Sequence, residues 1–386
     1  MDAKTPAIDS KLPDVGTTIF SVMSQLAADH SALNLSQGFP DFDGPEELLD
    51  RVGWHIKRGS NQYAPMPGLL VLREQIAEKV SRLYNCSACP EQEITVLPGA
   101  TEAIYCAITA CVNPGDEVIV FDPCYDSYVP AISLSRGIVR HLTLSAPEFA
   151  VDWSAVEAAI NPRTRMIIIN SPHNPTGATL QQRDLDQLAK LVRETNIIVL
   201  SDEVYEHLVY DGHKHASVLQ HPELNTRSFA VFSFGKTYHV TGWKTGYCIA
   251  PPALTSELRK VHQFVTFVAV TPIQLALADF MASNGGYVDQ LPNFYQHKRD
   301  LFCRGLAGSR FKLKPSAGTY FQLLDYSAIS ELDDQTLARE LTVQKGVAAI
   351  PISVFSEQPE NTRYLRLCFA KNDDTLKEAT EILCKI

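Results

Sequence analysis

Short apolar runs alternate with segments of helical periodicity through the middle of the chain. The run 166–169 is wholly apolar, as is typical of a strand buried on both faces. Residues 100–112 instead place apolar side chains on one face of a helix. This alternation predicts a mainly parallel sheet. The predicted strands are 94–97, 117–121, 138–144, 166–169, 197–200 and 229–232, and the helices include 100–112 and 180–195.

The C-terminal third has a different pattern. Residues 292–306 predict a helix that begins with Pro292, and 375–385 predict a closing helix. Between them, 318–324 and 364–369 alternate like half-buried strands. With 386 residues, the chain exceeds the roughly 250–300 at which one core stops growing. We therefore predict a large α/β domain over 46–285 and a smaller α+β domain over 286–386. The N-terminal segment 1–45 is predicted to be part of the smaller domain.

Polar and reactive side chains follow each of five predicted strands. The segments after the strands begin at Pro98, Asp122, Asn170, Ser201 and Ser233. Open α/β sheets bind their ligands at the carboxyl ends of the strands. The sequence therefore predicts one site built by five loops.

The composition is that of an ordinary globular protein. Apolar residues make up 45% and charged residues 20%, which excludes a disordered, coiled-coil or collagen-like chain. A net charge of −10 argues against general nucleic-acid binding. We expect no membrane span, because no apolar run approaches the ~18 residues required. Residues 1–15 do not resemble a secretory signal, and the nine scattered cysteines favour reduced thiols in a cytoplasmic enzyme.

Two short motifs suggest metal sites, and we predict none at either. Cys86 and Cys89 form a C-x-x-C pair, but no second pair with similar spacing exists. Asp211, His213 and His215 lie close in sequence, and a solvated turn is the better interpretation because no further ligand cluster lies nearby.

Lys236 is the candidate nucleophile. It follows the apolar run 229–232, and desolvation there would lower its pKa and favour a Schiff base with an aldehyde cofactor. A surface lysine in a turn is the simpler alternative. A phosphate-binding loop is another, but its first glycine would have to stand where the chain has Ala230.

Asp202 is the candidate partner of a cofactor ring. It follows the apolar strand 197–200, where a carboxylate is costly without a cationic partner. A protonated pyridine nitrogen would be such a partner, and the pairing would keep the ring an electron sink. Taken alone, Asp202 could equally be the N-cap of a helix.

Four motifs together resemble those of the class I/II aminotransferases, which are pyridoxal-phosphate enzymes of fold type I. They are Ser-Phe-Gly-Lys ending at Lys236, Gly-Trp-Lys-Thr-Gly around Lys244, Asn-Pro-Thr-Gly from Asn174, and Asp-Glu-Val-Tyr from Asp202. The resemblance covers nearly the whole chain. Within the family, the chain looks most like the branch of bacterial methionine aminotransferases and the kynurenine aminotransferase/glutamine transaminase K group. Two further motifs carry this finer likeness, Asn-Gln-Tyr-Ala-Pro from Asn61 and Asp-Pro-Cys-Tyr-Asp-Ser-Tyr ending at Tyr128. The resemblance to the family implies a seven-stranded sheet between helices and a homodimer.

The resemblance also implies roles for individual residues. Lys236 would bind the cofactor and move the substrate proton, and Asp202 would pair with the ring nitrogen. Asn174 and Tyr205 would bond to the ring's phenolic oxygen, and Tyr125 would stack on the ring. The phosphate would be bound by Gly99, Ala100, Thr101, Ser233 and Lys244, and by Tyr63 of the neighbouring subunit. The substrate carboxylate would be bound by Arg366 and the backbone N–H of Gly38, although a surface ion pair is the simpler interpretation of Arg366 alone.

Many relatives carry arginine at the position of Lys244, and we interpret the lysine as a mark of the kynurenine-type branch.

The expected activity is transfer of an amino group from methionine or another large neutral or aromatic amino acid to a 2-oxo acid, with glutamine and kynurenine as further candidate donors. A cysteine-S-conjugate or cystathionine β-lyase would use the same cofactor. A regulator that uses the fold without catalysis is a third hypothesis, but the stretch before Ser36 is too short for the expected DNA-binding module.

Overall fold

The computed structural model describes residues 8–358 and 363–386 of the chain. The strands predicted for the middle of the chain are present, and their ends differ from the prediction by at most two residues. The strands are β1 (Leu33–Asn34), β2 (Ile94–Leu97), β3 (Glu117–Asp122), β4 (Ile138–Thr143), β5 (Thr164–Asn170), β6 (Ile198–Asp202), β7 (Ser228–Ser233), β8 (Gly246–Ile249), β9 (Phe321–Asp325), β10 (Val347–Ala348), β11 (Ile350–Pro351) and β12 (Tyr364–Cys368).

The predicted helices are also present. The helix predicted over 180–195 is shorter, because Gln181 and Asp184 form a capping box that starts it at Gln182. The helices are α1 (Ile19–Asp29), α2 (Glu46–Lys57), α3 (Leu70–Tyr84), α4 (Ala100–Cys111), α5 (Tyr128–Leu134), α6 (Trp153–Ala159), α7 (Gln182–Val192), α8 (Pro222–Asn225), α9 (Phe234–Thr237), α10 (Pro252–Val265), α11 (Thr271–Ser283), α12 (Leu291–Gly305), α13 (Asp334–Glu340) and α14 (Asp373–Leu383).

Seven strands of the described residues form one large sheet in the order β2-β8-β7-β6-β5-β3-β4. Neighbouring strands are parallel from β4 to β7, whereas β8 is antiparallel to both β7 and β2. The predicted mainly parallel α/β fold is confirmed. Because β2 runs in the same direction as β7, the carboxyl ends of β2, β3, β5, β6 and β7 lie along one edge.

Helices cover both faces of the large sheet. Successive side chains of a strand point to opposite faces, so Ile167 and Ile169 of β5 belong to one core cluster, while Met166 and Ile168 belong to the other. Apolar side chains of α3 and α7 pack in the first cluster, and those of α4, α5 and α10 pack in the second. This double burial explains why the strands read as continuous apolar runs.

A smaller sheet lies in the C-terminal third, where β9, β12 and β11 pair antiparallel. The N-terminal segment contributes to this part of the molecule, because β1 pairs parallel with β10. On this basis we propose the domain division at residues 45 and 285.

The prediction that 318–324 and 364–369 are half-buried strands was wrong in two respects. The first strand begins only at Phe321, because Thr319 has a φ of 62° that no strand residue adopts. Both strands are also buried on both faces. Gln322 is only 1% exposed, and its buried amide is satisfied by donating to the carbonyl of Lys314 at 2.8 Å. Its polarity therefore does not mark a solvent-facing position.

The segment 35–41 is bound along β12 and the residues after it. The backbone N–H of Cys368 donates to the Leu35 carbonyl at 2.8 Å. Lys371 Nζ donates to the Phe39 carbonyl at 2.9 Å. Asp41 Oδ1 accepts from the backbone of Asn372 at 2.6 Å. These contacts hold the early segment against the C-terminal sheet.

A buried ion pair connects α3 to the turn that follows β6. Lys79 of α3 contacts Glu206, and its Nζ also donates to the Tyr247 hydroxyl at 2.6 Å. The Tyr84 hydroxyl donates to the other carboxylate oxygen of Glu206. All four side chains are buried or nearly so, and the turn they fix begins directly after Asp202.

Removal of the Lys79 amine should destabilise the protein strongly. Lys79→Met keeps an apolar stem but removes the ammonium that pairs with the buried Glu206 carboxylate, and breaking a buried pair typically costs about 3–5 kcal/mol. We expect this loss in the free energy of unfolding measured by urea denaturation. Lys190→Met, at an exposed position on α7, is the matched control and should change stability by less than about 0.5 kcal/mol. A loss of that small size at Lys79 would contradict the prediction.

Candidate active site

A cavity of about 140 Å³ lies where the strand ends meet. Each of the five predicted loops contributes to its wall. The predicted site residues that line it are Gly99, Ala100, Thr101, Tyr125, Asn174, Asp202, Tyr205, Ser233, Lys236 and Lys244. The structure therefore brings most of the predicted residues together, while Gly38, Tyr63 and Arg366 lie outside this lining.

Asp202 ends β6 and is 3% exposed. Burial raises the pKa of its carboxyl group to about 6, and the Tyr128 hydroxyl opposes this by donating to Oδ2 at 2.6 Å. The alternative that Asp202 caps a helix is wrong, because a turn follows the strand. The carboxylate is thus buried at the cavity wall and is suited to a cationic ligand group.

Lys236 lies in the short helix α9, whose N-cap is Ser233. Its Nζ donates to the Tyr320 hydroxyl at 2.8 Å and to the Gly38 carbonyl at 3.0 Å, so the alternative of a surface lysine is wrong. Burial, with a smaller effect of the charges of Lys244 and Arg366, lowers the pKa of the amine to about 8. A larger share of the amine is therefore neutral near pH 8 than for an ordinary lysine.

The N-terminus of α4 offers an anion site. Gly99 is its N-cap with a φ of 84°, and no side chain caps the helix there. A Cβ atom at Gly99 would lie 3.6 Å from Lys244 Nζ, so this lysine stands directly beside the helix start. Glu102 in the first turn accepts from His262 Nδ1 at 2.7 Å. Free N–H groups, the helix dipole and the lysine charge together fit a phosphate.

The remaining cavity residues surround the space between Asp202, Lys236 and Lys244. The Tyr125 hydroxyl lies 3.4 Å from Thr101 Oγ1. Tyr205 is buried, which raises the pKa of its hydroxyl. The backbone N–H of Asn174 donates to Asn170 Oδ1 at 2.8 Å, which fixes the start of its loop. Aromatic and amide groups thus form the wall around a flat ligand.

Arg366 is 1% exposed in β12, so the surface ion-pair interpretation is wrong. Its Nη1 donates to Asn174 Oδ1 at 2.7 Å, and its Nη2 donates to the Ser36 carbonyl at 2.9 Å. The Phe321 ring lies 3.9 Å from the guanidinium carbon, and burial lowers the pKa of the group to about 10. Its Nε has no hydrogen-bond partner among the described residues, as expected of a group that awaits an anion.

Gly38 and Tyr63 occupy positions that the cavity lining does not include. The carbonyl of Gly38 faces Lys236, whereas the resemblance implies a role for its N–H. A Cβ atom at Gly38 would lie 2.7 Å from the Phe321 ring, so only glycine allows this approach. Tyr63 is 84% exposed, and its ring meets Phe267 edge-on at 5.6 Å.

Sequence reasoning missed three residues of the site. Asn170 lines the cavity and donates to the Asp202 carbonyl at 2.8 Å. It is the first polar residue after the apolar run 166–169, so its position was a usable signal. Tyr128 ends a motif that indicates only the branch of the family, and nothing in the sequence indicated its contact with Asp202. Tyr320 lies in a segment predicted as an ordinary strand and gave no signal of its contact with Lys236.

The two doubtful metal motifs do not form a metal centre. Cys86 and Cys89 are free thiols. His215 Nε2 lies 2.8 Å from Glu203 Oε2 and is used in that hydrogen bond. In residues 8–358 and 363–386, no three His, Cys, Asp or Glu side chains are grouped so that they could hold a metal ion. Across the same residues, no helix has the length and apolar character needed to cross a membrane.

The donor set fits one kind of cofactor. A buried carboxylate, a lysine amine of lowered pKa and an anion site at a helix N-terminus surround one cavity. An aldehyde cofactor with a basic ring nitrogen and a phosphate would satisfy all three groups. This combination is the one that the resemblance to the class I/II aminotransferases implies.

Comparison with known proteins agrees with the site. The family model "Aminotransferase class I and II" matches residues 31–383. A methionine aminotransferase of Escherichia coli is 54% identical over 374 residues, covering 97% of each chain. A kynurenine–oxoglutarate transaminase of Dictyostelium discoideum is 32% identical over 96% of this chain and 94% of its own. An Escherichia coli structure described as having a methionine aminotransferase function superposes with a TM-score of 0.97 at 52% identity, covering 99% of this chain and 100% of the other.

The chain therefore belongs to the class I and II aminotransferases. It has the fold type I architecture, it is an aminotransferase, and its cofactor is pyridoxal 5'-phosphate. The predicted family, fold class, activity and cofactor are confirmed.

Loss of the Tyr128 hydroxyl should raise the pKa of Asp202 further. A carboxyl group whose pKa is raised in the folded state loses stability as pH rises from its ordinary value, near 4, through its folded value. In the apoenzyme, the free energy of unfolding of Tyr128→Phe should therefore keep falling with rising pH beyond pH 6. We expect the variant to lose about 1–2 kcal/mol more unfolding free energy, relative to the parent, at pH 8 than at pH 5.

Urea denaturation of the apoenzyme at both pH values measures this difference. Tyr105→Phe, at a half-buried position on α4, is the control and should show no such dependence. An equal loss for Tyr128→Phe at both pH values would mean that the hydroxyl does not influence Asp202.

Proposed function

We propose that the enzyme takes methionine and other large neutral or aromatic amino acids as amino donors, with glutamine and kynurenine as further candidates, and a 2-oxo acid as acceptor. The near full-length likeness to a methionine aminotransferase carries this proposal. The cavity supports it, because Lys236 and Lys244 are the cations that line it in the described residues. Neither is free for a second substrate carboxylate, so an acidic side chain would lack a partner.

Cofactor binding is assigned to the residues that fit it. Asp202 would hold the protonated ring nitrogen, Tyr205 and Asn174 would donate to the phenolic oxygen, and Tyr125 would cover one ring face. The phosphate would be held by Gly99, Ala100, Thr101, Ser233 and Lys244. Bound pyridoxal phosphate supplies an electron sink for a carbanion at the substrate Cα.

Lys236 would bond to the cofactor aldehyde and, once released, move the substrate proton with its Nζ. Burial of the amine suits this role, because a base works best with a pKa near the working pH. Asp202, buried in the cavity wall, would favour the protonated form of the ring nitrogen.

Arg366 would bind the substrate carboxylate. Its buried Nε lacks a partner, and two of its other N–H groups are already directed by Asn174 and Ser36. The guanidinium is therefore held in one orientation before the substrate arrives. Gly38 N–H would assist, and Phe39, which is 38% exposed next to Gly38, would form part of an apolar wall with Tyr63 and Tyr125.

We also propose a homodimer in which Tyr63 reaches the phosphate of the neighbouring subunit. An exposed aromatic patch (Tyr63, Phe264, Val265, Phe267 and Val270) supports this, since two of its members are more than 80% exposed. Within this set the rings of Tyr63 and Phe267 are in contact, with centroids 5.6 Å apart, and exposed apolar side chains that group together mark interfaces. Free thiols at all nine cysteines support a cytoplasmic location.

A screen of amino acids tests the substrate class. Each amino acid is mixed with the cofactor-loaded enzyme without an acceptor, and the loss of the visible cofactor band is followed. Methionine and phenylalanine should react at least about 10-fold faster than aspartate, because aspartate brings an uncompensated carboxylate. The reverse order would refute the proposed class. Pyruvate and ammonia released from a cysteine conjugate would instead indicate β-lyase chemistry.

Two variants make the screen specific to the site. Lys236→Ala should show neither the visible band nor turnover, since the amine that bonds the cofactor is gone. Lys345→Ala, at an exposed position, should keep both. A Lys236→Ala protein that retained turnover would refute the role of this residue.

Mixed dimers test the position of Tyr63. If Tyr63 acts across the interface, a dimer of one Lys236→Ala subunit and one Tyr63→Ala subunit contains one complete site and one doubly impaired site. Co-purified mixed dimers carrying two different tags should then recover about half of the parent kcat. If Tyr63 acted within its own subunit, both sites would be impaired and no activity would return.

A further inference from the structure

The amine of Lys236 belongs to a triangle of hydrogen bonds at the cavity. Its Nζ lies 2.8 Å from the Tyr320 hydroxyl and 3.0 Å from the Gly38 carbonyl, and the Tyr320 hydroxyl lies 2.5 Å from the same carbonyl. The three groups come from distant parts of the chain. Tyr320 does not line the cofactor cavity, and its hydroxyl contacts the lining residue Lys236 directly.

The direction of these bonds follows from their chemistry. A carbonyl oxygen carries no proton, so the Tyr320 hydroxyl must donate to Gly38 at this short distance. The lone pairs of the same hydroxyl then face Lys236, which donates to them. The contact thus favours the protonated amine and fixes its position, while burial favours the neutral amine.

The triangle is rigid. Tyr320 is fully buried, and its ring meets Tyr205 edge-on at 5.1 Å and Phe321 at 5.0 Å. The backbone carbonyl of Tyr320 accepts from the N–H of Phe369 at 2.9 Å. The absence of a side chain at Gly38 allows its carbonyl to approach both partners closely. Neither acceptor can move without disturbing the core.

We propose that Tyr320 is a positioning residue for Lys236. With the Gly38 carbonyl, its hydroxyl holds the lysine amine whenever that amine is not bonded to the cofactor, and so sets where the base stands when it moves the substrate proton. This inference rests on the proposed role of Lys236. It predicts that loss of one hydroxyl, away from the cofactor, alters the titration of the lysine and the proton-transfer step.

Tyr320→Phe tests the proposal, because it keeps the buried ring and removes only the hydroxyl. Tyr210→Phe is the matched control, since the hydroxyl of Tyr210 donates to the carbonyl of Thr319, the residue before Tyr320. Both variants lose one buried tyrosine hydroxyl, and both are expected to lower the melting temperature. Only Tyr320→Phe removes a partner of Lys236.

The first measurement is acetylation of Lys236 in the pyridoxamine-phosphate form, in which the lysine amine is free. Acetic anhydride labelling from pH 6 to pH 10, read by mass spectrometry of the peptide that contains Lys236, gives the pH midpoint of the amine. The midpoint should fall in Tyr320→Phe, because an acceptor of the ammonium is lost. It should stay at the parent value in Tyr210→Phe. Equal midpoints in all three proteins would overturn the proposal.

The second measurement is the kinetic isotope effect with methionine deuterated at Cα. In Tyr320→Phe, kcat should fall about 10-fold and the isotope effect should rise, because proton transfer becomes slower. The affinity for pyridoxal phosphate should stay within about 2-fold of the parent value. A lower kcat with an unchanged isotope effect would indicate a purely structural role and would also overturn the proposal. If methionine proved to be no substrate, the labelling result would still decide the role of Tyr320.

Discussion

The active site depends on strands that end together at one edge of the large sheet. Asp202 and Val231 are register partners in neighbouring parallel strands, so the ladder that joins β6 and β7 also fixes the loop of Asp202 relative to that of Lys236. The reversed strand β8 does not disturb this arrangement, since β2 again runs with β7 and brings the N-terminus of α4 to the same edge. The chemistry is therefore positioned by backbone hydrogen bonds before any side chain contributes.

Burial then acts in opposite directions on the two central charges. It raises the pKa of Asp202 and lowers that of Lys236, because each charged form loses water. A tyrosine hydroxyl contacts each group. Tyr128 donates to the carboxylate and opposes the effect of burial on its pKa, and Tyr320 accepts from the amine. Two residues of one type thus act as a donor at one charge and as an acceptor at the other.

Local patterns in the sequence predicted the large sheet and the loops at its edge, because strands buried on both faces are continuous apolar runs. They also predicted Lys236 and Asp202, since a charge within a few residues of the end of such a run needs a reason to be there. They could not predict Tyr320, whose contact with Lys236 joins residues 84 positions apart. Gln322 misled the prediction for a related reason, because the carbonyls that satisfy its buried amide are set by the tertiary fold and not by alternation along a strand.

The binding of segment 35–41 to β12 has a consequence for biosynthesis. The Ser36 carbonyl accepts from Arg366 across 330 positions of chain, and Asp41 accepts from Asn372 across 331. Contacts of such sequence separation form late, because the loop they close is costly. The early residues must therefore wait, without their final neighbours, until Arg366 and Asn372 have left the ribosome. The large sheet can assemble before that point of translation, but the place where a substrate carboxylate would bind is completed only when these later residues emerge.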